Sequence, residues 1–433
     1  MRLADTFRLA WDEPELRQRV LFIFAIFGIY AVGLQVSVPI RGFDAGTIEE
    51  LVKNSPLLQM LGLFGGRGIY RLSIFSLGLN PYITASIIMQ LMKVAIPALK
   101  REDQEGGQYA RQRQAQRTKL LTIVLCVFQS IGFMSMLRAG LAELSMWDKV
   151  MIVLFWTAGA QFVLWLGEQI QEKAIGQGVS LMIFAGIVVG LPFQTELLVS
   201  EVRNGIVQFW QVGLLLLIFV AVTALIVYFT QAQRRITIQH MRRHTGTGVL
   251  RGQTSYLPIP VNAAGVIPII FAVALIFLPQ QFASFGQPGT GWHNFWVEVG
   301  AFLSPTPGAF WYHWVTGTLA YGALIFFFTY FWTAIQYNVE DIARNLKQSG
   351  AYIPGVRQGK QTERFLDEVI TRVTVVGALF LAFIALVPYW IPPITRIQSV
   401  QMVGGTSLLI IVSVVLDLMR QIEANLLMRG YGK

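Results

Sequence analysis

The sequence predicts an all-α polytopic membrane protein with ten transmembrane helices. Three observations predict it. The 433 residues are 54% hydrophobic and only 13% charged, about half the charged share of an ordinary soluble domain. Phe and Trp number 30 and 11, which leaves too little polar surface to cover a water-soluble body of this size. Ten apolar stretches of near-span length recur along the chain, and none contains Asp, Glu, Lys or Arg. A span needs about 20 apolar residues, and a charge at its centre costs on the order of 2.5–3.5 kcal/mol.

The elements follow in order. Residues 1–19 mix both charge signs and lack an apolar core with a small-residue cleavage site. They read as an amphipathic cytoplasmic segment broken at Pro14, not as a cleavable signal. The spans are 20–38, 73–92, 120–137, 150–167, 179–195, 206–230, 257–278, 315–336, 373–391 and 400–416, with a tail at 417–433. Cys126, the single cysteine, lies in the apolar run LLTIVLCVFQSIGF and reads as inert packing. Between the first two spans, SPLLQMLGLFGG at 55–66 is apolar but too short to cross. Gly65, Gly66 and Gly68 after it suggest a short re-entrant half-helix ending in a flexible joint. Irregular backbone at membrane depth is tolerated only inside protein or a water-filled cavity. An ordinary external loop with glycine turns fits the pattern equally well.

Orientation comes from the connections. Loop 93–119 carries seven basic residues, 231–256 carries five with no acid, and 337–372 carries six. The alternate connections are poor: 279–314 has no Lys or Arg, 192–205 only Arg203, and 392–399 only Arg396. Placing the rich set in the cytoplasm puts 26 of 34 basic residues there, which makes both termini cytoplasmic. The stretch 39–72, with Arg41, Lys53, Arg67 and Arg71 outside, is the exception.

No catalytic motif is present. There is no GxxxxGK[ST], HExxH or GxSxG, and VRQGKQT at 356–362 has Pro354 where a P-loop needs its first glycine. His240 and His244 are four apart but flank two arginines, so a solvated basic loop outweighs a metal pair. Neither metal nor cofactor is expected. An ion-coupled transporter normally keeps an intramembrane ionisable residue, and these spans have no Asp, Glu, Lys or Arg. Their polar content is Gln90, Gln129, Gln161, Asn262, Thr84 and Ser86. Such groups either join helices or line a path that must not bind its cargo tightly. The basic loops near 231–256 and 337–370 read either as topology alone or as a docking surface for an acidic partner. TERFLDEVITRV at 362–373 suits an ordered helix running into span nine.

Seven stretches carry a resemblance: PELRQRVLF (14–22), SIFSLGLNPYITASIIMQLM (73–92), EGGQYARQRQ (105–114), GQGVSLMIFAGIVVGLP (176–192), VNAAGVIPIIFA (261–272), IPGVRQGKQTERFLDEV (353–369) and GGTSLLIIVSVVLD (404–417). In this order they resemble the bacterial SecY family, over nearly the whole chain. The resemblance implies a protein-conducting channel of two pseudo-symmetric five-helix halves, 20–195 and 206–416, around a central pore. It would pass unfolded secretory polypeptides across the bacterial plasma membrane and release membrane segments sideways between spans two and seven. Residues 57–70 would form the plug, including Leu61, Leu63, Phe64, Gly65, Gly66, Arg67 and Gly68.

By the same resemblance, the pore constriction would be Leu79, Ile83, Ile183, Ile187, Ile270 and Ile410, and the lateral gate Thr84, Ile87, Gln90, Gln129, Asn262 and Leu278. Branched aliphatic side chains dewet a narrow pore yet give a sliding chain nothing to hold. Arg243, Arg251, Arg357 and Lys360 would face a ribosome or the motor ATPase SecA. The small subunits SecE and SecG, signal sequences, nascent chains and lipid would be the other partners. Three positions depart from the family's pattern: Leu79 stands for Ile, Gln358 replaces a proline and should loosen the loop tip, and Arg67 is unusual in a plug. An uncoupled or substrate-specific transporter is the alternative.

Overall fold

The structure, a computed structural model, describes residues 13–40, 68–105, 107–137, 145–240, 244–245, 248–249, 254–287, 289–305, 311–395, 397 and 405–430. The helices are α1 (Pro14–Gln35), α2 (Asn80–Ala95), α3 (Pro97–Glu105), α4 (Gly107–Met136), α5 (Met146–Lys173), α6 (Gly178–Arg203) and α7 (Phe209–Gln231). A second group follows: α8 (Ile267–Ser284), α9 (Gly291–Leu303), α10 (Trp311–Gln336), α11 (Val339–Gln348), α12 (Lys360–Thr395) and α13 (Thr406–Gly430). Among the described residues, each of the ten stretches expected to span falls wholly or in part on a helix: α1, α2, α4 to α8, α10, α12 and α13. Among the described residues, eight helical segments are long and apolar enough to cross a membrane. α2 is not one of them, at 16 residues.

Its shortness has a local cause. Ser73 bridges to Ser37, residues 74–79 are turns, and Asn80-Pro81 starts the helix instead of interrupting it. A proline is well tolerated in the first helical turn, where its missing N–H would have had no partner. The same device opens α1 at Pro14 and α8 at Pro268. Pro14 therefore begins a helix, where the sequence suggested that it breaks one.

Span seven is displaced too. Its expected start, 257–260, belongs to a strand, 261–266 are turns, and α8 runs on to Ser284. The strand is one of five, so the architecture is not purely helical: β1 (Gln233–His240), β2 (His244–Thr245), β3 (Gly248–Val249), β4 (Thr254–Pro260) and β5 (Ala351–Tyr352). β1 pairs antiparallel with β4 from Gln233↔Pro260 to Gln239↔Thr254, and its other edge takes β5 at Gln239↔Tyr352 and His240↔Ala351. Pro258 and Pro260 are accommodated because β4 is an outer strand of the order β4-β1-β5. The two long basic loops are thus joined in one sheet. Alternate residues Ile236 and Ile238 point to the covered face, and Ile236 packs with Ile259, Ile353, Leu366 and Ile370 in a small separate core under α11 and α12.

The main core is one continuous apolar cluster shared by α1, α2, α4 to α8, α10, α12 and α13. Lipid is as apolar as leucine, so these helices associate by close packing and not by escape from water. The contact points show it. A Cβ on Gly178 would lie 1.7 Å from the Gly167 carbonyl oxygen, so α5 and α6 touch through backbone. Outside this core, Phe24, Val124, Leu154, Leu217, Leu319 and Leu379 are exposed. An apolar exterior on that scale is what a lipid solvent requires.

Candidate functional site

The segment leading into α2 is held tightly. From Gly68 a 3-10 turn runs to Arg71, and Leu72 follows with φ 45° at zero exposure. Val38 N–H donates to Leu72 O (3.0 Å) and Ile74 N–H to Val36 O (3.0 Å). Ser73 Oγ donates to Gly33 O (3.0 Å), and Ser76 Oγ donates to Gly68 O (3.0 Å) and Ser73 O (2.6 Å). The Phe75 ring stacks between Tyr30 and Phe162, each 5.9 Å away. A loose joint was expected from the glycines, yet from Gly68 onward the chain is pinned. The other plug residues, Leu61, Leu63, Phe64, Gly65, Gly66 and Arg67, lie outside the described residues.

Leu79, Ile83, Ile183, Ile187 and Ile410 are all buried in the main core, and Ile270 packs against it half-buried. Their backbone placement is shared in part. Leu79 caps α2, Ile83 is in its first turn, Ile270 is three residues into α8, and Ile410 is four into α13. Ile183 and Ile187 are four apart on α6 and therefore share a face. Leu79, where isoleucine was expected, is as deeply buried as its neighbours.

Beside them lies a narrow, partly open cleft between α2, α4 and α8. α2 contributes Asn80, Ile83 and Thr84; α4 contributes Gln129 and Phe133; α8 contributes Ile270, Val273, Ala274, Phe277, Leu278 and Gln281. The cleft thus joins two constriction residues to three of the gate residues, Thr84, Gln129 and Leu278. Thr84 Oγ1 donates to Asn80 O (3.0 Å) and accepts from Gln129 Nε2 (3.4 Å), which ties α2 to α4. The Gln129 and Gln281 Oε1 atoms are buried with no hydrogen-bond partner. A buried unpaired amide costs on the order of 1–3 kcal/mol, so a closed cleft holds unspent polar capacity.

The other gate residues stand apart from it. Ile87 and Gln90 lie further along α2, where Gln90 Nε2 donates to Ser86 Oγ of its own helix (3.1 Å). Asn262 sits in the turns before α8, its amide buried and unpartnered. Gln161 Nε2 reaches Cys126 Sγ at 3.9 Å, a contact between α5 and α4. Asn80, Phe133, Phe277 and Gln281 were missed by sequence reasoning. Gln281 lies past the expected end of span seven at 278, in PQQ, which looks like a loop; Pro279 is in fact inside the helix.

On the proposed docking face, Arg357 and Lys360 are exposed at the turn between β5 and α12. Gln358, expected to loosen this tip, fastens it: Gln358 Nε2 donates to Ala351 O (3.2 Å), and Thr362 Oγ1 donates to Arg357 O (2.9 Å). Arg243 and Arg251 lie outside the described residues. His240 contacts Ser255 Oγ across the hairpin (3.2 Å), as a strand residue would.

A buried aliphatic cluster with a cleft beside it, in a helical body whose exterior is apolar and whose helices are long enough to span, fits a multi-pass membrane protein. The profile of the SecY family matches residues 73–419, and the chain belongs to that family. It is 37% identical over 429 residues to the "Protein translocase subunit SecY" of Escherichia coli (strain K12), covering 96% of this chain and 93% of that one. Against the subunit of the same name from Thermotoga maritima the identity is 38% over 448 residues, covering 99% and 96%. Among solved structures, "The structure of a protein conducting channel" superposes with TM-score 0.64 at 19% identity, covering 93% of this chain and 91% of that one. "Sec61 in the Canine ribosome-channel complex from the endoplasmic reticulum" gives 0.59 at 18%, with the same two coverages.

Proposed function

We infer that the chain is a protein-conducting channel: it passes unfolded polypeptides through the apolar constriction and releases apolar segments to lipid through the cleft between α2 and α8. The observation that carries this reading is the cleft itself. It runs from the constriction residues Ile83 and Ile270 to Leu278, with unpaired Gln129 and Gln281 oxygens along it. A constriction of aliphatic side chains excludes ions by dewetting while offering a moving chain no charge to bind. The relatives are named as subunits of a translocase, which supports a channel without catalysis of its own. Energy then comes from a partner: the motor SecA or the ribosome, docking on the β1–β4 hairpin and the Arg357–Lys360 tip. Neighbouring structures include a channel in a ribosome complex, which supports a ribosome as partner. SecE and SecG complete the proposed assembly, in the bacterial inner membrane with both termini cytoplasmic.

The test fastens the cleft. Thr84 and Leu278 both line it, from α2 and α8, and a disulfide requires Cα atoms within roughly 7 Å. With Cys126→Ser, Thr84→Cys and Leu278→Cys, oxidation should crosslink the pair and stop export of a secretory protein, and reductant should restore it. Efficient crosslinking with export unchanged would refute lateral opening at this seam. A second test addresses docking. Arg357→Glu should leave protein level unchanged while motor-driven export falls at least tenfold; export at the wild-type rate would reduce Arg357 to a topology marker.

A further inference from the structure

The connection between α8 and α10 contains an amphipathic helix, α9, that the channel reading does not use. Each residue turns a helix by about 100°, and on that wheel α9 has three faces. His293, Trp296, Gly300 and Leu303 fall within about 80° of one another, and all are buried or half-buried. Trp292, Phe295, Val299 and Phe302 form a second stripe beside them, with Trp292 54%, Phe295 58% and Phe302 54% exposed. Asn294, Glu298 and Ala301 make the third face, exposed and polar or small, with the exposed Val297 at its border with the inward face. Protein, apolar medium and water would each receive one face. Segment 279–314 has no Lys or Arg, and Glu298 is its one acid.

Two α9 side chains, His293 of the inward face and Trp292 at the edge of the exposed stripe, reach the end of α8. The last four carbonyls of a helix have no partner within it, and here all four are capped by side chains. Trp292 Nε1 donates to Phe282 O (2.9 Å) and His293 Nδ1 contacts Ala283 O (2.9 Å). Ser284 Oγ donates to Gln281 O (2.6 Å) and Ser135 Oγ of α4 donates to Ser284 O (2.9 Å). The Trp296 ring lies 4.9 Å from that of Phe282. At the other end, a Cβ on Gly317 would come within 2.0 Å of Ser304 O, so the C-cap of α9 rests on α10.

We propose that α9 is an interfacial anchor: its Trp292–Phe295–Phe302 stripe is immersed in the headgroup–acyl boundary of the leaflet at the α8 C-terminus, and through the capped carbonyls it holds that end of α8 at fixed depth. Three observations choose lipid as the occupant over a protein partner. α9 rests on α10 at Gly317, and α10 itself carries exposed apolar side chains on either side of that point, Val315 and Leu319. Only residues 285–290 separate α9 from the end of α8, and its two ends are fastened to α8 and α10, both of spanning length. Trp and Phe beside one acidic and no basic groups is the composition of an aromatic belt.

The test reads placement and not export, so it fails independently of the channel reading. Full-length protein carrying Cys126→Ser and a single new cysteine, Phe295→Cys or Glu298→Cys, is labelled with an environment-sensitive fluorophore in phosphatidylcholine–phosphatidylglycerol vesicles. At 295 the probe should be quenched several-fold more by a lipid with its nitroxide near the carbonyl than by aqueous iodide. At 298 the order should invert. Equal iodide quenching at both positions would overturn the anchor, and a probe at 295 shielded from both quenchers would show that protein, a second copy or another subunit, covers the stripe instead. Phe302→Cys repeats the measurement should labelling at 295 disturb the helix.

Discussion

Gly159 shows how little room a single residue has in this molecule. A Cβ there would lie 2.0 Å from the Ile74 carbonyl oxygen, on the pinned segment that leads into α2. Backbone cannot yield as a side chain would, so Gly159→Ala must push residues 73–79 or α5 aside. Overpacking of this kind costs about 1–3 kcal/mol, and the thermal midpoint in detergent should fall by several degrees. Gly213→Ala on α7 is the control. Nothing lies within 4 Å of its Cβ, and alanine is the better helix former by about 1 kcal/mol, so its midpoint should hold or rise. If both variants melted alike, the close approach of Ile74 would not be what demands glycine at 159.

At the scale of elements, the β1–β4 hairpin is the clearest addition to what the chain's pattern announces. The spans were legible because length and the absence of charge are additive over about 20 residues. The sheet was not, because Gln233–His240 and Thr254–Pro260 were weighed by their arginines and prolines and not by the alternation of Ile236 and Ile238. Its third strand lies roughly a hundred residues on, at Ala351–Tyr352, a pairing that no local window contains. The candidate site divides in the same way. Thr84, Gln129 and Leu278 were named and do share a cleft, whereas Gln281 was hidden behind a proline that looks like a helix end. The hairpin unit invites its own test. Leu366 is 1% exposed in its small core, and a buried Leu→Ala change costs about 2–5 kcal/mol. Leu366→Ala should therefore make the 351–359 turn several-fold more sensitive to limited proteolysis while the spans remain resistant. Unchanged cleavage would mean that the sheet owes its order to something other than that core.

At the scale of the whole molecule, the expected arrangement is one of charge across the membrane. With 26 of 34 basic residues on one side by the loop assignment, Lys360 should face the cytoplasm. In a Cys126→Ser background, Lys360→Cys should resist a membrane-impermeant maleimide in right-side-out vesicles and react in inverted ones. Reaction from outside would invert the orientation and remove the docking face at once. α8 follows the hairpin directly, after β4 and the turns at 261–266, so its C-terminus and α9 lie at the far end of that helix from the hairpin.

Four of the six constriction residues, Leu79, Ile83, Ile270 and Ile410, are mounted at or within four residues of a helix start. A ring carried on rod tips dilates differently from one carried at mid-rod. α2, with 16 residues, is a lever roughly 24 Å long, and a tilt of about 5° sweeps its tip through roughly 2 Å. No hydrogen bond inside the rod has to break for that sweep. Were the six residues to form the expected constriction, its bore would follow small rotations of long arms, as an iris does, and at α2 the pinned segment 68–79 would have to move with the tip.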